Sequence, residues 1–369
     1  MIITKLSAIN FRNYSRFNLN LSPKMNIFVG DNAAGKTNIL ESVVILSLTK
    51  TYRNGIDGDV IRFGKQKTKL KAVVKNDKKA KDLTVEIFNN SKIVQINGKH
   101  ISRIADYISN LNVVIFTPDD LDIIKGSPSI RRNLLNLELS QICKKYLVIT
   151  NEYNKLLKTR NEYLKILFTN NIADKNYLDI LTDKLIEKAI YIYQMRSEYL
   201  KKINNQINDI FYKITGVKGL SISYTPNIKI HDYSEVELKK VLENTYKKNY
   251  HKELMAGMTL YGPHRDDFSF LLNEKDIKVY ASQGQQKSAI LSYKLATIPI
   301  FEEFTNTKPV ILLDDIFSEL DNKKKNRILK YINQDIQSII TTTDLKNISK
   351  KMLTEAAIFT VKNGTVERS

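Results

Sequence analysis

The sequence predicts the α/β class, with one head assembled from both ends of the chain and a helical, arm-like module inserted between them. Three observations predict it. An apolar run, Met25–Val29, enters the glycine-bounded stretch Gly30-Asp31-Asn32-Ala33-Ala34-Gly35-Lys36-Thr37, and a helical run follows from Asn38. A second apolar run, Val310-Ile311-Leu312-Leu313, ends in Asp314-Asp315 near the other terminus. Between them, apolar residues recur at helical spacing over some seventy positions, a ~3.5-residue period.

Taken in order, Ile2 to Phe11 and Met25 to Val29 read as strands, and residues 70–74, 83–88 and 92–96 alternate or cluster β-formers. Asn89-Asn90-Ser91 and Asn97-Gly98 suggest hairpin turns between and after them. Val113–Phe116 is a short strand stopped by Thr117-Pro118. Leu135, Leu139, Ile142, Tyr146, Ile149, Tyr153, Leu156, Tyr163 and Leu167 then form one continuous heptad stripe, with Arg160 filling a slot. A second stripe runs from Leu178 through Leu185, Ile192 and Tyr199 to Ile210, and the polar break at 169–171 is short enough for an antiparallel hairpin. Val310–Leu313 and Ser338–Ile340 read as parallel strands buried on both faces. The expected division is a head from 1–125 and 256–369, with the helical module at 126–255.

Composition removes several classes. One cysteine, Cys143, excludes an intrachain disulfide, a cysteine-based zinc site and an iron–sulfur cluster. His100, His231, His251 and His264 are scattered and make no metal cluster. No apolar run approaches the ~18 residues of a membrane span, and no leader or lipidation motif is found, so a cytoplasmic protein with no membrane role is expected. The chain has 58 Lys+Arg against 39 Asp+Glu, a net charge of +19. A surplus of this size suits a polyanionic partner, nucleic acid foremost.

The stretch from Gly30 to Thr37 is a complete G-x-x-x-x-G-K-[ST] motif in strand-then-helix context. Its glycines let backbone amides wrap a phosphate, and the helix N-terminus adds a positive dipole end. Gly30, Asp31, Asn32, Ala33, Ala34, Gly35, Lys36, Thr37 and Asn38 are therefore the expected ATP-binding residues. Lys36 reaches the β- and γ-phosphates, while Thr37 and Asp314 hold Mg²⁺. Asp315, one residue on, is placed to polarise the attacking water, so Lys36 and Asp315 are expected to act in catalysis. Ser282-Gln283-Gly284-Gln285-Gln286-Lys287 opens a later helical run and reads as a second anion site. Ser282, Gly284 and Gln285 are assigned to nucleotide, with Ser282 also catalytic. Since the chain already has one phosphate cradle, a second points to a second copy.

In this order of motifs, closed by Ser318-Glu319-Leu320-Asp321, the sequence resembles the ABC-type P-loop ATPases. The long separation of phosphate loop and signature resembles their SMC-like branch. Within that branch it resembles the RecF family of bacterial recombination mediators. The residues that carry the likeness include Asn10-Phe11-Arg12-Asn13-Tyr14, Ile61-Arg62-Phe63-Gly64, Phe116-Thr117-Pro118-Asp119-Asp120-Leu121 and Gly262-Pro263-His264-Arg265-Asp266-Asp267.

The resemblance implies an ATP-dependent DNA-binding protein of recombinational repair and replication-fork maintenance. It would dimerise on ATP and engage double-stranded DNA and single-strand/double-strand junctions. With RecR and RecO it would help load recombinase on gapped DNA, with slow hydrolysis acting as a timer. A nuclease-coupled ATPase and a structural DNA-bridging protein are the rival classes. Departures are Asn136 where the family carries Asp, Thr341-Thr342-Thr343-Asp344 where a switch histidine would stand, and no clear switch-loop glutamine. A threonine hydroxyl there could sense the γ-phosphate. Lys125, Arg131 and Arg132 are candidate DNA contacts, with Arg131 and Arg132 equally able to pair with acids inside the protein. Asp266-Asp267 could bind metal or accept hydrogen bonds, a structural role beside the signature is an equal expectation, and no chemistry is assigned there.

Overall fold

The computed structural model describes all residues except 54, 77, 78, 170–173, 317–321, 333, 334 and 346–349. Along the chain, β1 (Ile2–Phe11), β2 (Tyr14–Asn20) and β3 (Met25–Val29) lead into α1 (Lys36–Leu48). There follow β4 (Lys67–Asn76), β5 (Lys79–Phe88), β6 (Lys92–Ile96), β7 (Lys99–His100), α2 (Ile104–Tyr107) and β8 (Val113–Phe116). The helical stretch comprises α3 (Asp122–Lys125), α4 (Pro128–Ile142), α5 (Lys144–Thr169) and α6 (Lys175–Thr215). Next come β9 (Leu220–Thr225), α7 (Glu235–Ala256), β10 (Asp267–Leu272), β11 (Lys275–Asp276), α8 (Ile277–Tyr280) and α9 (Gln283–Thr305). The chain closes with β12 (Val310–Asp314), α10 (Asn322–Ile332), β13 (Ser338–Thr342), α11 (Lys350–Glu355), β14 (Ala357–Lys362) and β15 (Thr365–Arg368).

Two compact units result. The first contains Met1–Asp120, Asp209–Val217 and Ile290–Ser369. Its antiparallel sheet has the order β2-β1-β4-β5-β6-β7, and its second sheet has the order β15-β14-β3-β13-β12-β8. In the latter, β14, β3, β13, β12 and β8 run parallel and only the end strand β15 pairs antiparallel. Helix α1 is apolar on nearly every side, with Ile39, Leu40, Val43, Val44, Ile45 and Leu46 all at 0% exposure, because it is enclosed by both sheets. Asn97 and Gly98, with φ of 50° and 76°, make the tight turn that their sequence predicts.

The second unit contains Leu121–Asn208 and Lys218–Ala289. It includes residues 256–289, which the sequence reading places in the head; β10 pairs along its whole length with β9 and packs on α4, which ties this stretch to the helices. The first heptad stripe is not one helix: the chain turns extended at Cys143 (φ −140°), which separates α4 from α5. Along α5 the buried positions are Tyr146, Thr150, Tyr153, Arg160 and Leu164, not the full apolar stripe. Arg160 is 2% exposed and pairs with Glu253 at 2.7 Å, while also donating to Thr182 and Thr259. On α6 the predicted stripe is buried from Leu178 to Ile210, except that Met195 is half-buried.

Candidate functional site: a phosphate loop facing an acidic strand

The first unit holds a cleft of about 600 Å³ lined by Arg12, Asn13, Asn32, Ala33, Gly35, Lys36, Thr37, Asn38, Arg53, Asp59, Ile61, Asp314 and Asp315. Its floor is the turn from β3 into α1. Ala33 and Gly35 take φ of 63° and 113°, which curls the loop so that α1 begins at Lys36. A side chain at position 35 would meet the Asn13 amide at 2.5 Å and the Tyr14 hydroxyl at 2.8 Å, so both conformation and space demand glycine. The Lys36 ammonium donates to the Gly30 and Asp31 carbonyls at 2.7 and 2.9 Å, folded back over its own loop. Burial lowers its pKa, opposed by Asp315, Asp314 and Asp31.

Strand order brings the acidic strand to this loop. β13 lies between β3 and β12, and the Thr37 hydroxyl donates to Asp314 Oδ1 at 2.9 Å across 277 residues of sequence. The Thr341 hydroxyl of β13 donates to the same oxygen at 2.8 Å and accepts from the Asp315 backbone N–H at 2.9 Å. Burial raises the Asp314 pKa, and these two hydroxyls act in the opposite direction. Asp315 itself sits at φ 46°, in the left-handed region that few non-glycine residues adopt and that recurs at functional sites. Thr37 and Asp314 thus present adjacent hard oxygen ligands beside the curled loop. This donor set fits Mg²⁺ on a nucleotide phosphate.

Of the threonines standing where a switch histidine would be, Thr341 is engaged with Asp314, and Thr342 donates to the Asp344 carbonyl. Only Thr343 of the three is exposed. Asp120, which follows β8, caps the Thr117 N–H and pairs with the buried Lys294.

Sequence reasoning gave no role to Arg12, Asn13 or Arg53, yet all three line the cleft. Arg12 and Asn13 form the two-residue turn between β1 and β2, and Arg12 is held at φ 49°. Its guanidinium forks onto Glu41 at 2.6 and 2.9 Å and donates to the Asp59 carbonyl at 2.8 Å. Glu41, at 0% exposure, also accepts from Thr51. Asn13 donates to the Ala34 carbonyl and accepts from Asn38, which in turn accepts from Arg53. An arginine-asparagine pair in a tight hairpin turn was the available signal.

In the second unit, Ser282, Gln283 and Gly284 are exposed, and Gln285 is half-buried. The Ser282 hydroxyl accepts from the Gln285 N–H, and the Gln285 side chain accepts from the Ser282 N–H: a capping box that starts α9. A side chain on Gly284 would meet nothing within 4 Å, so its backbone is open to an approaching group. Ser318-Glu319-Leu320-Asp321 lies outside the described residues.

The Gly262–Asp267 block is structural. Asp266, 1% exposed, accepts from Arg196, Tyr224 and the Asn227 N–H. Asp267 receives both arms of Arg131, and Arg132 donates to the Asp266 carbonyl. His264 hydrogen-bonds Tyr153 at 2.7 Å, and burial lowers its pKa to about 4. Arg131 and Arg132 are thereby bound within the unit, which takes up two of the three side chains expected as DNA contacts, while Lys125 is exposed. Asn136 accepts from Tyr146 and Arg196 through its carbonyl oxygen, the acceptor a carboxylate would otherwise supply.

A sequence model of the RecF/RecN/SMC N-terminal domain matches residues 2–367. The DNA replication and repair protein RecF of Lactobacillus gasseri is 38% identical over 370 residues, covering 99% of both chains. That of Shouchella clausii is 37% identical over the full length of both. A solved recombination mediator protein RecF of the RecFOR pathway, described as RecF-ATPrS, superposes with a TM-score of 0.91 at 32% identity, covering 100% of this chain and 98% of that one. An Smc head bound to the C-terminal winged-helix domain of ScpA matches with a TM-score of 0.54 at 15% identity, covering 100% and 98%, and shares the fold.

Proposed function

The chain belongs to the RecF family of SMC-like ABC ATPases, and on that premise we propose that it is an ATP-dependent DNA-binding protein of replication and recombinational repair. The observation that carries the reading is the Thr37–Asp314 contact, which joins phosphate loop and acidic strand into one site. ATP binding fits the curled loop, and solved relatives are described as RecF-ATP and RecF-ATPrS.

In this reading Lys36 leaves the Gly30 and Asp31 carbonyls and turns to the β- and γ-phosphates. Thr37 and Asp314 would hold Mg²⁺, which when bound would supply charge neutralisation to the phosphate oxygens. Asp315 orients the water, and Arg12 and Arg53 line the nucleotide's flank. Ser282, Gly284 and Gln285 of a second copy close over the γ-phosphate, so ATP makes the dimer. Their exposure in the single chain supports this, since an exposed helix start with an open glycine has backbone N–H groups to offer. Hydrolysis then releases the dimer from DNA as a timer.

The polyanion implied by the charge of +19 is DNA, with ssDNA/dsDNA junctions as the target and RecR and RecO as partners in loading recombinase on gaps. A cytoplasmic location accords with this; among the described residues no helix is long and apolar enough to cross a membrane.

Light scattering with ATP and DNA tests the composite site. Ser282→Arg is expected to keep nucleotide affinity and lose the ATP-dependent dimer. An ATP-dependent dimer that survives this change would overturn the reading.

A further inference from the structure

The solvent face of the antiparallel sheet carries a row of cations that the nucleotide cleft does not use. Along β4, Thr68, Leu70, Ala72 and Val74 are buried, which places Lys67, Lys69, Lys71 and Lys75 on the opposite, outer face. Register puts Lys5 of β1 beside Val73, and Arg16 of β2 beside Ile9, on the same face. On β5, Glu86 and Asp82 stand opposite Lys69 and Val73. Six cations against two carboxylates leave this face at 6 − 2 = +4. Glu86 bridges Lys67 and Lys69 at 3.2 and 2.9 Å, and Asp82 holds Lys71 at 2.9 Å, so the ammonium groups are aligned while their side chains stay 43–55% exposed. Alternate residues of a strand are about 6.8 Å apart. A row of ammonium groups at this spacing presents a dense line of positive charge to a phosphate backbone.

One end of the row carries an aromatic ring. Phe63 is 101% exposed and stands between Arg62 and Lys65, just before the chain enters β4 at Lys67. The turn that presents it is tightly held. The Arg62 N–H donates to the Asn10 carbonyl at 2.9 Å, the Lys65 N–H donates to the Arg62 carbonyl at 3.0 Å, and Ile61 bridges Phe11. Gly64 takes φ 75°, which closes the turn. An isolated exposed apolar residue is ordinary. A whole ring held out on a hydrogen-bonded turn among cations is suited to stacking on a nucleobase.

We propose that duplex DNA lies along this face with its backbone on β4, and that Phe63 stacks on the base exposed where the duplex ends at a gap. This deepens, and rests on, the reading that the chain binds DNA. The same loop reaches the nucleotide: Asp59 and Ile61 line the cleft, and Arg12 bonds the Asp59 carbonyl, so DNA on the sheet lies a few residues from ATP.

The test is fluorescence anisotropy of the full chain with ATP, on gapped and blunt duplex, across a salt series. Lys5→Ala/Lys71→Ala/Lys75→Ala is expected to flatten the log-affinity against log-salt slope by about 2.7, roughly 0.9 per lost phosphate contact. Phe63→Ala is expected to leave the slope intact and cut the preference for gapped over blunt duplex about tenfold. Lys240→Ala/Lys247→Ala/Lys248→Ala, exposed lysines of α7, serves as the equal-charge control and should change the slope little. Wild-type slope in the sheet variant, unchanged preference in Phe63→Ala, or an equal loss in the control overturns the assignment. Wild-type protein that binds neither DNA overturns the functional reading itself.

Discussion

The Thr341 hydroxyl holds Asp314: it donates to Oδ1 at 2.8 Å and, by accepting from the next residue's N–H, fixes the turn that leads to Asp315. A residue standing where a phosphate-sensing histidine was expected therefore organises the acidic strand from behind.

Replacing it tests that role by pH. Burial raises the Asp314 pKa, while Thr341 and Thr37 lower it, so Thr341→Val should raise it further. Metal binding needs the ionised form, and the acid limb of Mg²⁺-dependent ATP hydrolysis should move to higher pH. One hydrogen bond to a charged group is about 1.5–3 kcal/mol, which predicts a shift of about one pH unit or more. A profile superposable on wild type would show that Asp314 does not depend on Thr341.

Lys36→Met keeps most of the side chain's unbranched stem and removes its charge. The folded loop should remain, since Gly35 and Ala33 shape it. Calorimetry should show ATP affinity down roughly a hundredfold, from the loss of charge-assisted bonds to phosphate. Ordinary affinity would remove the cleft from nucleotide binding.

Asp315→Asn should bind ATP normally and accumulate the ATP-bound dimer on DNA. Loss of the group that positions water should slow hydrolysis by about 10²-fold or more. Single-turnover kinetics measure this directly, and an unchanged rate would exclude Asp315 from the chemistry.

Asp266→Ala addresses stability rather than turnover. Arg196, 3% exposed, would keep its buried charge without its carboxylate partner. The expected cost is about 3–5 kcal/mol, read as a lower urea midpoint. An unchanged midpoint would show that Tyr146, Asn136 and the Pro263 carbonyl satisfy Arg196 without the carboxylate.

Much of the fold was legible because its signals are local. The Gly30–Thr37 motif, the strands around it, and the buried runs Val310–Leu313 and Ser338–Ile340 each depend on neighbours a few residues away. The heptad stripe was legible as helix but not as two helices, since nothing in its period announces the extended residue at Cys143. Arg160 looked like a gap in an apolar stripe. Its partner, Glu253, is 93 residues away, and only that pairing allows a guanidinium to be buried.

By itself the sequence determined the phosphate loop, the acidic strand, the helix-starting signature and the family to which they belong. The tertiary structure decided what those parts touch. Threading β13 between β3 and β12 set Thr37, Asp314 and Thr341 on common oxygens; folding β10 against β9 and α4 turned Arg131 and Arg132 inward; and pairing β4 with β1 and β5 turned alternating lysines into one basic face. The physical reason is range: backbone conformation and periodicity are written between adjacent residues, whereas charge pairing and ligand geometry depend on which distant strands come to lie side by side.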